Sequence, residues 1–258
     1  MKRATLFSLV CGLFAAIFIT SCTPMGPLPS SDRQAGVAPP SYTPSPEERP
    51  GLATGWGEEK TSTMEGSHFV RSSSRPSGMD TLYYNDKDGI KAMSGNAYKV
   101  EGLQTAAGGM VEWGIKGSLG YLSTYKDYNN RQRFVQGDKE QTYSIVIKNR
   151  CKSALEIVAS VDGLDVMDGK SASLSKRGYI VKPGKAVEIK GFRTSYDKVA
   201  AFKFSSVSHS YANLRHGNTR NVGVIGIAVF TEKGVNPWTW MPDETERRNT
   251  AQPFSTAP

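Results

Sequence analysis

What this chain has little of removes much chemistry before any motif is sought. Its 258 residues hold three cysteines, Cys11, Cys22 and Cys151, too few for a four-cysteine zinc site. Histidine is as scarce: His68, His209 and His216 are the whole set. No H-E-x-x-H occurs, no serine or cysteine sits in a nucleophile-elbow context, and no Walker or G-x-G-x-x-G pattern opens a helix. No catalytic residue, no cofactor and no metal site is therefore expected. Helical period is missing from the long segments, which argues against a helical core. Acidic residues are thin in one half only: residues 131–258 hold 20 Lys+Arg against 12 Asp+Glu, while residues 1–130 hold 12 of each.

What is present begins with an address. Lys2 and Arg3 precede a mostly apolar, uncharged run from Ala4 to Thr20, the order of an export signal. The run falls short of the roughly 20 residues of a comfortable membrane span, and Pro24, Pro27 and Pro29 would stop a helix from extending. Ser21 suits an ordinary cleavage site and Ile19 does not. The string Ile19-Thr20-Ser21-Cys22 instead resembles a bacterial lipobox, an aliphatic residue, two small ones and cysteine. That resemblance implies a diacylglycerol on Cys22, a cut before it and an acylated new amino terminus, so that three chains, palmitate-like, anchor the protein in the membrane. Thr23, where aspartate would retain a lipoprotein in the inner membrane, points to the outer membrane of the bacterial cell envelope. With Cys11 cut away and Cys22 acylated, Cys151 has no partner for a disulfide within the chain and reads as a small, partly buried apolar residue.

The formal charge of +8 belongs to the C-terminal half. In an exported protein it does not point to nucleic acid. Anionic headgroups, lipopolysaccharide or acidic wall polymers are the available counter-charges, and a solvated basic surface is the plain alternative.

Composition divides the chain into a signal peptide (1–21), a Pro/Ser-rich linker (22–50) with eight of the 14 prolines, an irregular β extension (51–130), a β-sandwich domain (131–236) and a C-terminal tail (237–258). Within 51–130, strand-like pieces such as Thr81-Leu82-Tyr83-Tyr84 alternate with turn chemistry such as Asn85-Asp86-Lys87-Asp88-Gly89, and Ser72–Gly78 reads as mobile. From Phe134 the pattern is regular. Tyr143, Ile145 and Ile147 share one face, as do Leu155, Ile157, Ala159 and Val161, and the short Asn149–Ser153 link predicts a hairpin between the two runs. Lys182-Pro183-Gly184-Lys185 is a turn between Tyr179-Ile180-Val181 and Val187-Glu188-Ile189-Lys190. Ala200, Phe202 and Phe204 alternate with Ala201, Lys203 and Ser205. Short strands at near-regular spacing predict a mostly β fold, an antiparallel β-sandwich with the irregular extension packed on it. Asn221 to Phe230 is apolar on both faces, so it should be central, with part of 51–130 or a partner across its outer side. Trp238, Trp240 and Met241 form an aromatic cluster that docks back onto the sandwich or presents a ligand platform.

Two constellations carry chemistry. Asp162, Asp165 and Asp168 recur at three-residue spacing, each suited to a hard cation, yet two are followed by glycine and read as turn formers whose carboxylates face water. Arg215, His216 and Arg220 lie in one polar segment and form a candidate anion-binding group.

The strings Ser160-Val161-Asp162-Gly163, Gly178-Tyr179-Ile180-Val181, Ile189-Lys190-Gly191-Phe192-Arg193, Val199-Ala200-Ala201-Phe202-Lys203-Phe204, Ser210-Tyr211-Ala212 and Asn221-Val222-Gly223-Val224-Ile225-Gly226 together resemble a family of uncharacterised bacterial proteins. That family reads S-V-D-G, G-Y-V-L-x-P, I-x-G-W-R-x-S, V-A-A-F-x-F, S-Y-A and N-V-G-V-I-G in the same order. Phe192 stands at its tryptophan, and the resemblance implies no activity. The sequence thus leads to a non-enzymatic envelope lipoprotein whose β-sandwich, on a flexible stalk, binds an envelope protein or anionic polymer or serves a structural role. The alternative is a carboxylate-dependent enzyme acting on wall or surface glycans through Asp162, Asp165 and Asp168.

Overall fold

The structure is a computed structural model that describes residues 48–63, 68–129, 132–238 and 242–253. Cys22, Trp240 and Met241 lie outside them. Strands β1 (Leu52–Thr61) and β2 (Gly78–Asn85) lead into helix α1 (Lys87–Ser94). Then come β3 (Ala97–Val100), β4 (Gln104–Ala106), β5 (Val111–Gly117), β6 (Gly120–Tyr121), β7 (Thr124–Asp127) and β8 (Arg133–Gln136). β9 (Thr142–Asn149), β10 (Leu155–Val161) and the two-residue β11 (Leu164–Asp165) precede β12 (Tyr179–Val181), β13 (Ala186–Ile189), β14 (Gly191–Arg193) and β15 (Lys198–Ser206). Helix α2 (Tyr211–His216), β16 (Val224–Thr231) and helix α3 (Pro242–Asn249) follow.

These strands make the expected β-sandwich from two open sheets. One runs β1-β15-β9-β5-β4, with β13 on β9, β14 on β15 and β6 on β5; the other runs β11-β10-β16-β2-β8-β7-β3, with β12 on β10. Neighbours are antiparallel apart from the parallel pair β2 and β8. The inward faces are those the alternation predicts. Tyr143, Ile145 and Ile147 of β9 meet Leu155, Ile157, Ala159 and Val161 of β10 in one core with Phe202, Phe204, Ile225, Ile227 and Val229.

Residues 51–130 enter the sandwich more deeply than an extension would. β1 pairs along β15, β5 along β9, and β2 lies directly beside β16. Their inward residues, Leu52, Leu82, Tyr84, Val111, Trp113 and Ile115, belong to the same core. The pattern was hidden because these strands mix apolar positions with Thr54, Asp80 and Glu112, and because Asp86 is no turn residue. It is the N-cap of α1, its Oδ1 accepting from Gly89 N at 2.7 Å.

The predicted hairpin between β9 and β10 does not form. The two strands belong to opposite sheets, so the Asn149–Ser153 link is a crossover, and the Lys182–Lys185 turn between β12 and β13 is another. Buried Asn149 ties the two together: its Nδ2 donates to Ser153 O (2.8 Å) and Val181 O (2.9 Å), and its Oδ1 accepts from Cys151 N (2.7 Å). Short links between facing strands read alike in sequence whether they pair the strands or cross the core.

The outer face of β16 is covered, as its apolarity on both sides requires. Val158, Ala228 and Phe230 form a second cluster there, and the Arg71 guanidinium lies 3.7 Å from the Phe230 ring centroid. The Ser72–Gly78 segment is strapped to β16 and not left loose. Ser72 N donates to Thr231 O at 2.9 Å and Ser77 N to Val229 O at 2.7 Å, while both serine hydroxyls meet the Thr231 hydroxyl. Trp238 docks against the core.

Candidate functional site

The aspartate loop begins where β10 turns into β11. Val161 faces Leu164, leaving Asp162-Gly163 as a two-residue hairpin turn with both φ positive, 54° and 77°. That is the type I′ geometry for which Asp-Gly is suited. The turn directs the Asp162 side chain inward. Oδ1 accepts from Tyr84 OH (2.6 Å) and Gly223 N (2.9 Å), and Oδ2 accepts from Thr54 N (2.8 Å). Thr54 Oγ1 is 2.7 Å from Tyr84 OH and 2.6 Å from Tyr143 OH.

Hydrogen counting orders this network. Tyr84 spends its proton on Asp162, so Thr54 donates to Tyr84, and Tyr143 donates to Thr54. A single chain of hydroxyls from β9, β1 and β2 thus ends on one enclosed carboxylate, joining both sheets. Burial pushes Asp162 up to about 6 against the pull of its donors, and burial together with the Asp162 charge raises both tyrosines well above their ordinary range.

The other two aspartates diverge. Asp165 is enclosed as well; Oδ1 accepts from Met167 N at 2.8 Å, Oδ2 is buried without a hydrogen-bond partner among the described residues, and burial raises its pKa. Asp168 is exposed. Its partial burial works upward, but hydrogen bonds from Lys176 Nζ (2.8 and 2.9 Å) and Lys170 N (2.9 Å) hold it below the usual carboxylate range. The expectation that the aspartates face water therefore holds at Asp168 alone. A glycine after an aspartate identifies the turn and says nothing about which side of the sheet the carboxylate takes. Among the described residues no three His, Cys, Asp or Glu side chains gather as a metal site would need.

The outer side of the same loop meets α2. Ser210 caps that helix, accepting from Asn213 N at 3.1 Å, and Gly217 closes it in the left-handed region. His216 Nε2 lies 2.9 Å from Gly169 O, which can only accept, so Nε2 carries the hydrogen. The sequence-predicted pair Arg215 and His216 thus sits in the last turn of α2, and Arg220 lies beyond its cap; all three are exposed. Basic residues there also complement the carbonyl end of the helix.

Beside them lies a feature that the sequence reading missed. Trp56 of β1, 46% exposed, packs on Tyr211 (ring centroids 4.6 Å) and lies parallel to Phe192 (6.3 Å, 9°). Tyr211 in turn contacts Phe192 (5.1 Å) and meets His216 edge-on (5.7 Å). Trp56 shares the inward parity of Leu52 and Thr54, yet the strand register shifts between Trp56 and Glu59, and the indole is left at the rim of the core. Its only sequence signal is a tryptophan between two glycines, Gly55 and Gly57. The result is an aromatic surface anchored in the core and edged by His216.

No protein-family model matches the chain, and comparisons with curated proteins and with solved structures likewise give no match.

Proposed function

We propose that the protein is a non-enzymatic lipoprotein of the bacterial envelope, tethered by Cys22 on a proline-rich stalk, whose β-sandwich binds an envelope protein or an anionic polymer. The observation that carries the binding role is the half-exposed Trp56, packed at a tilt on Tyr211 of the basic helix α2. A rigid aromatic face with adjacent positive charge suits a sugar ring or an apolar anchor flanked by acidic groups. The glycan-cleaving alternative needs two carboxylates facing one cleft. Here Asp162 and Asp165 are enclosed, and Asp168 is engaged by Lys176.

The test captures ligands from envelope extract on the full chain, with Trp56→Ala and Asp168→Asn in parallel. Partners held by wild type and Asp168→Asn but lost by Trp56→Ala uphold the binding role. Release of soluble sugar fragments by wild type and not by Asp168→Asn establishes the enzyme instead. For the tether, Cys22→Ser is expected to move the protein from the membrane fraction to the soluble one, and retention on the membrane overturns lipidation.

A further inference from the structure

A cleft of about 530 Å³ opens at the side of the sandwich between β12 and β13. Its size lies within the roughly 300–1,000 Å³ of small-molecule sites. The two strands belong to different sheets and are joined by the Lys182–Lys185 turn, so the layers part here without a pairing strand to close them. Its floor is the core itself: Met167, Tyr179, Val181 and Val187 line the cleft and pack with the interlayer residues. Its rim carries the exposed cations Arg177, Lys182 and Lys185, of which Arg177 is turned to Phe69 O (3.2 Å) and Glu156 (3.8 Å). The turn fixes two of these cations at the mouth, with Lys185 N donating to Lys182 O at 3.1 Å and Gly184 at φ 66°. Glu188, the carboxylate on the margin, is turned away to Ser144 Oγ (2.7 Å) and Lys116 (3.4 Å) on the outer face of the sheet.

We infer that this cleft binds a single-chain anionic amphiphile, its hydrocarbon against Met167, Tyr179, Val181 and Val187 and its phosphate or carboxylate headgroup at Lys182 and Lys185. An apolar floor alone would take any neutral hydrocarbon, and a cationic rim alone would take any small anion. The two together in one cleft select a molecule that carries both. A neighbouring groove makes the contrast within the same protein. It holds about 310 Å³ and is lined by Lys60, Lys116 and Lys190 with Thr142, Tyr143, Ser144 and Glu188, so its lysines share the groove with a carboxylate. A headgroup there meets lysines with a carboxylate among them, and a chain finds less apolar surface than in the cleft. The inference rests on the cleft alone and is independent of the Trp56 surface, so Trp56→Ala is expected to leave it unchanged.

The experiment titrates the full chain carrying Cys22→Ser, so that no acyl chain of its own competes, with dodecyl phosphate below its micelle concentration, dodecanol and inorganic phosphate. Dodecyl phosphate is expected to saturate one site, with the other two weaker by about tenfold or more. Lys182→Glu/Lys185→Glu, confined to an exposed turn, and Val187→Trp, which fills the cleft, are each expected to weaken dodecyl phosphate by about tenfold or more while melting like the parent. If Val187→Trp fails to fold, the turn variant decides. Dodecanol binding as tightly as dodecyl phosphate would reduce the cleft to a greasy surface, and phosphate binding as tightly would reduce it to an anion site. No saturable dodecyl phosphate binding, or binding untouched by the turn variant, overturns the inference outright.

Discussion

Glu156 and Asp162 lie on one strand and just past its end, both carboxylates are enclosed, and they are accommodated in opposite ways. Glu156 points to the outer face of its sheet, where its side chain is 1% exposed and Arg71 grips it with a fork: Nε to Oε2 at 2.7 Å and Nη2 to Oε1 at 3.1 Å. Gly178 N adds a third hydrogen bond at 2.9 Å, and the rest of the Arg71 guanidinium donates to Leu174 O and Lys176 O while stacking on Phe230. Asp162 points between the sheets, where its partners are neutral: one tyrosine hydroxyl and two backbone N–H groups. A loop can lay a long arginine across an outer face with its charge reaching in from the solvent side. Between two sheets no such route exists, so dipoles do the work, and they offset only part of the desolvation. The outer carboxylate fastens a loop to a strand, and the inner one fastens the two sheets to each other.

The largest effect should come from unbalancing the outer pair. Arg71→Met keeps the stem and removes the charge, leaving the enclosed Glu156 carboxylate to Gly178 N and the longer 3.8 Å contact with the exposed Arg177; a loss of about 3 kcal/mol is expected in urea unfolding. The double variant Arg71→Met/Glu156→Leu should recover most of it, since replacing both members of a buried pair with apolar groups is close to neutral. If the double variant is no better than the single one, the pair holds the loop by shape and the contrast with Asp162 is lost.

The inner node should respond less to mutation and more to pH. Asp162→Asn keeps the turn, because asparagine also tolerates positive φ, but its amide sets a donor against a donor at Thr54 N or Gly223 N, costing about 1–3 kcal/mol. The sign of the pH effect follows from the raised pKa. With about 6 in the folded chain against an ordinary 3.8, the folded state holds the proton more tightly, so this group adds stability as pH falls from about 6 to about 4. Keeping the charge enclosed at neutral pH costs on the order of 3 kcal/mol. Asparagine has no such titration. The difference in unfolding free energy between wild type and Asp162→Asn is therefore expected to widen as pH is lowered from 7 to 4, and a constant difference would show that Asp162 is ionised throughout.

How much of this was legible depended on whether the signal was local. Alternation in β9, β10 and β15 is a local property, and it placed Tyr143, Ile145, Phe202 and Phe204 inside correctly. The doubly apolar β16 implied a cover over its outer face, though not that the cover would be Arg71 on Phe230. The sandwich crossings were illegible because sheet membership is a long-range fact. Asn149 to Ser153 has the length of a hairpin loop, and only the packing of Leu155 against the opposite sheet decides otherwise. The inner node was illegible for the same reason. Thr54, Tyr84, Tyr143 and Asp162 are spread over more than a hundred residues, and each alone is an ordinary strand or turn residue. At the candidate site, Arg215 and His216 were found through their shared segment, whereas Trp56 joins them only through β1 pairing with β15.

The smallest effect is expected at the far end of the aspartate loop, and it sharpens the comparison by completing a series. Asp162, Asp165 and Asp168 share residue type and spacing, yet the first is held by three donors inside the core, the second is enclosed with one oxygen unpartnered, and the third lies outside against Lys176. Spacing of three along a β10–β11 turn and its following bend does not repeat a direction as it would on a helix. The carboxylates therefore cannot converge on one cation while the Asp162-Gly163 turn stands. Asp168→Asn breaks only a solvent-screened pair and should shift stability by about 1 kcal/mol or less. Melting with and without millimolar calcium should give the same curve for wild type and variant alike. A calcium-dependent rise that Asp168→Asn abolishes would mean that the loop can reorganise to gather its carboxylates, and that enclosing Asp162 is one of two arrangements open to it.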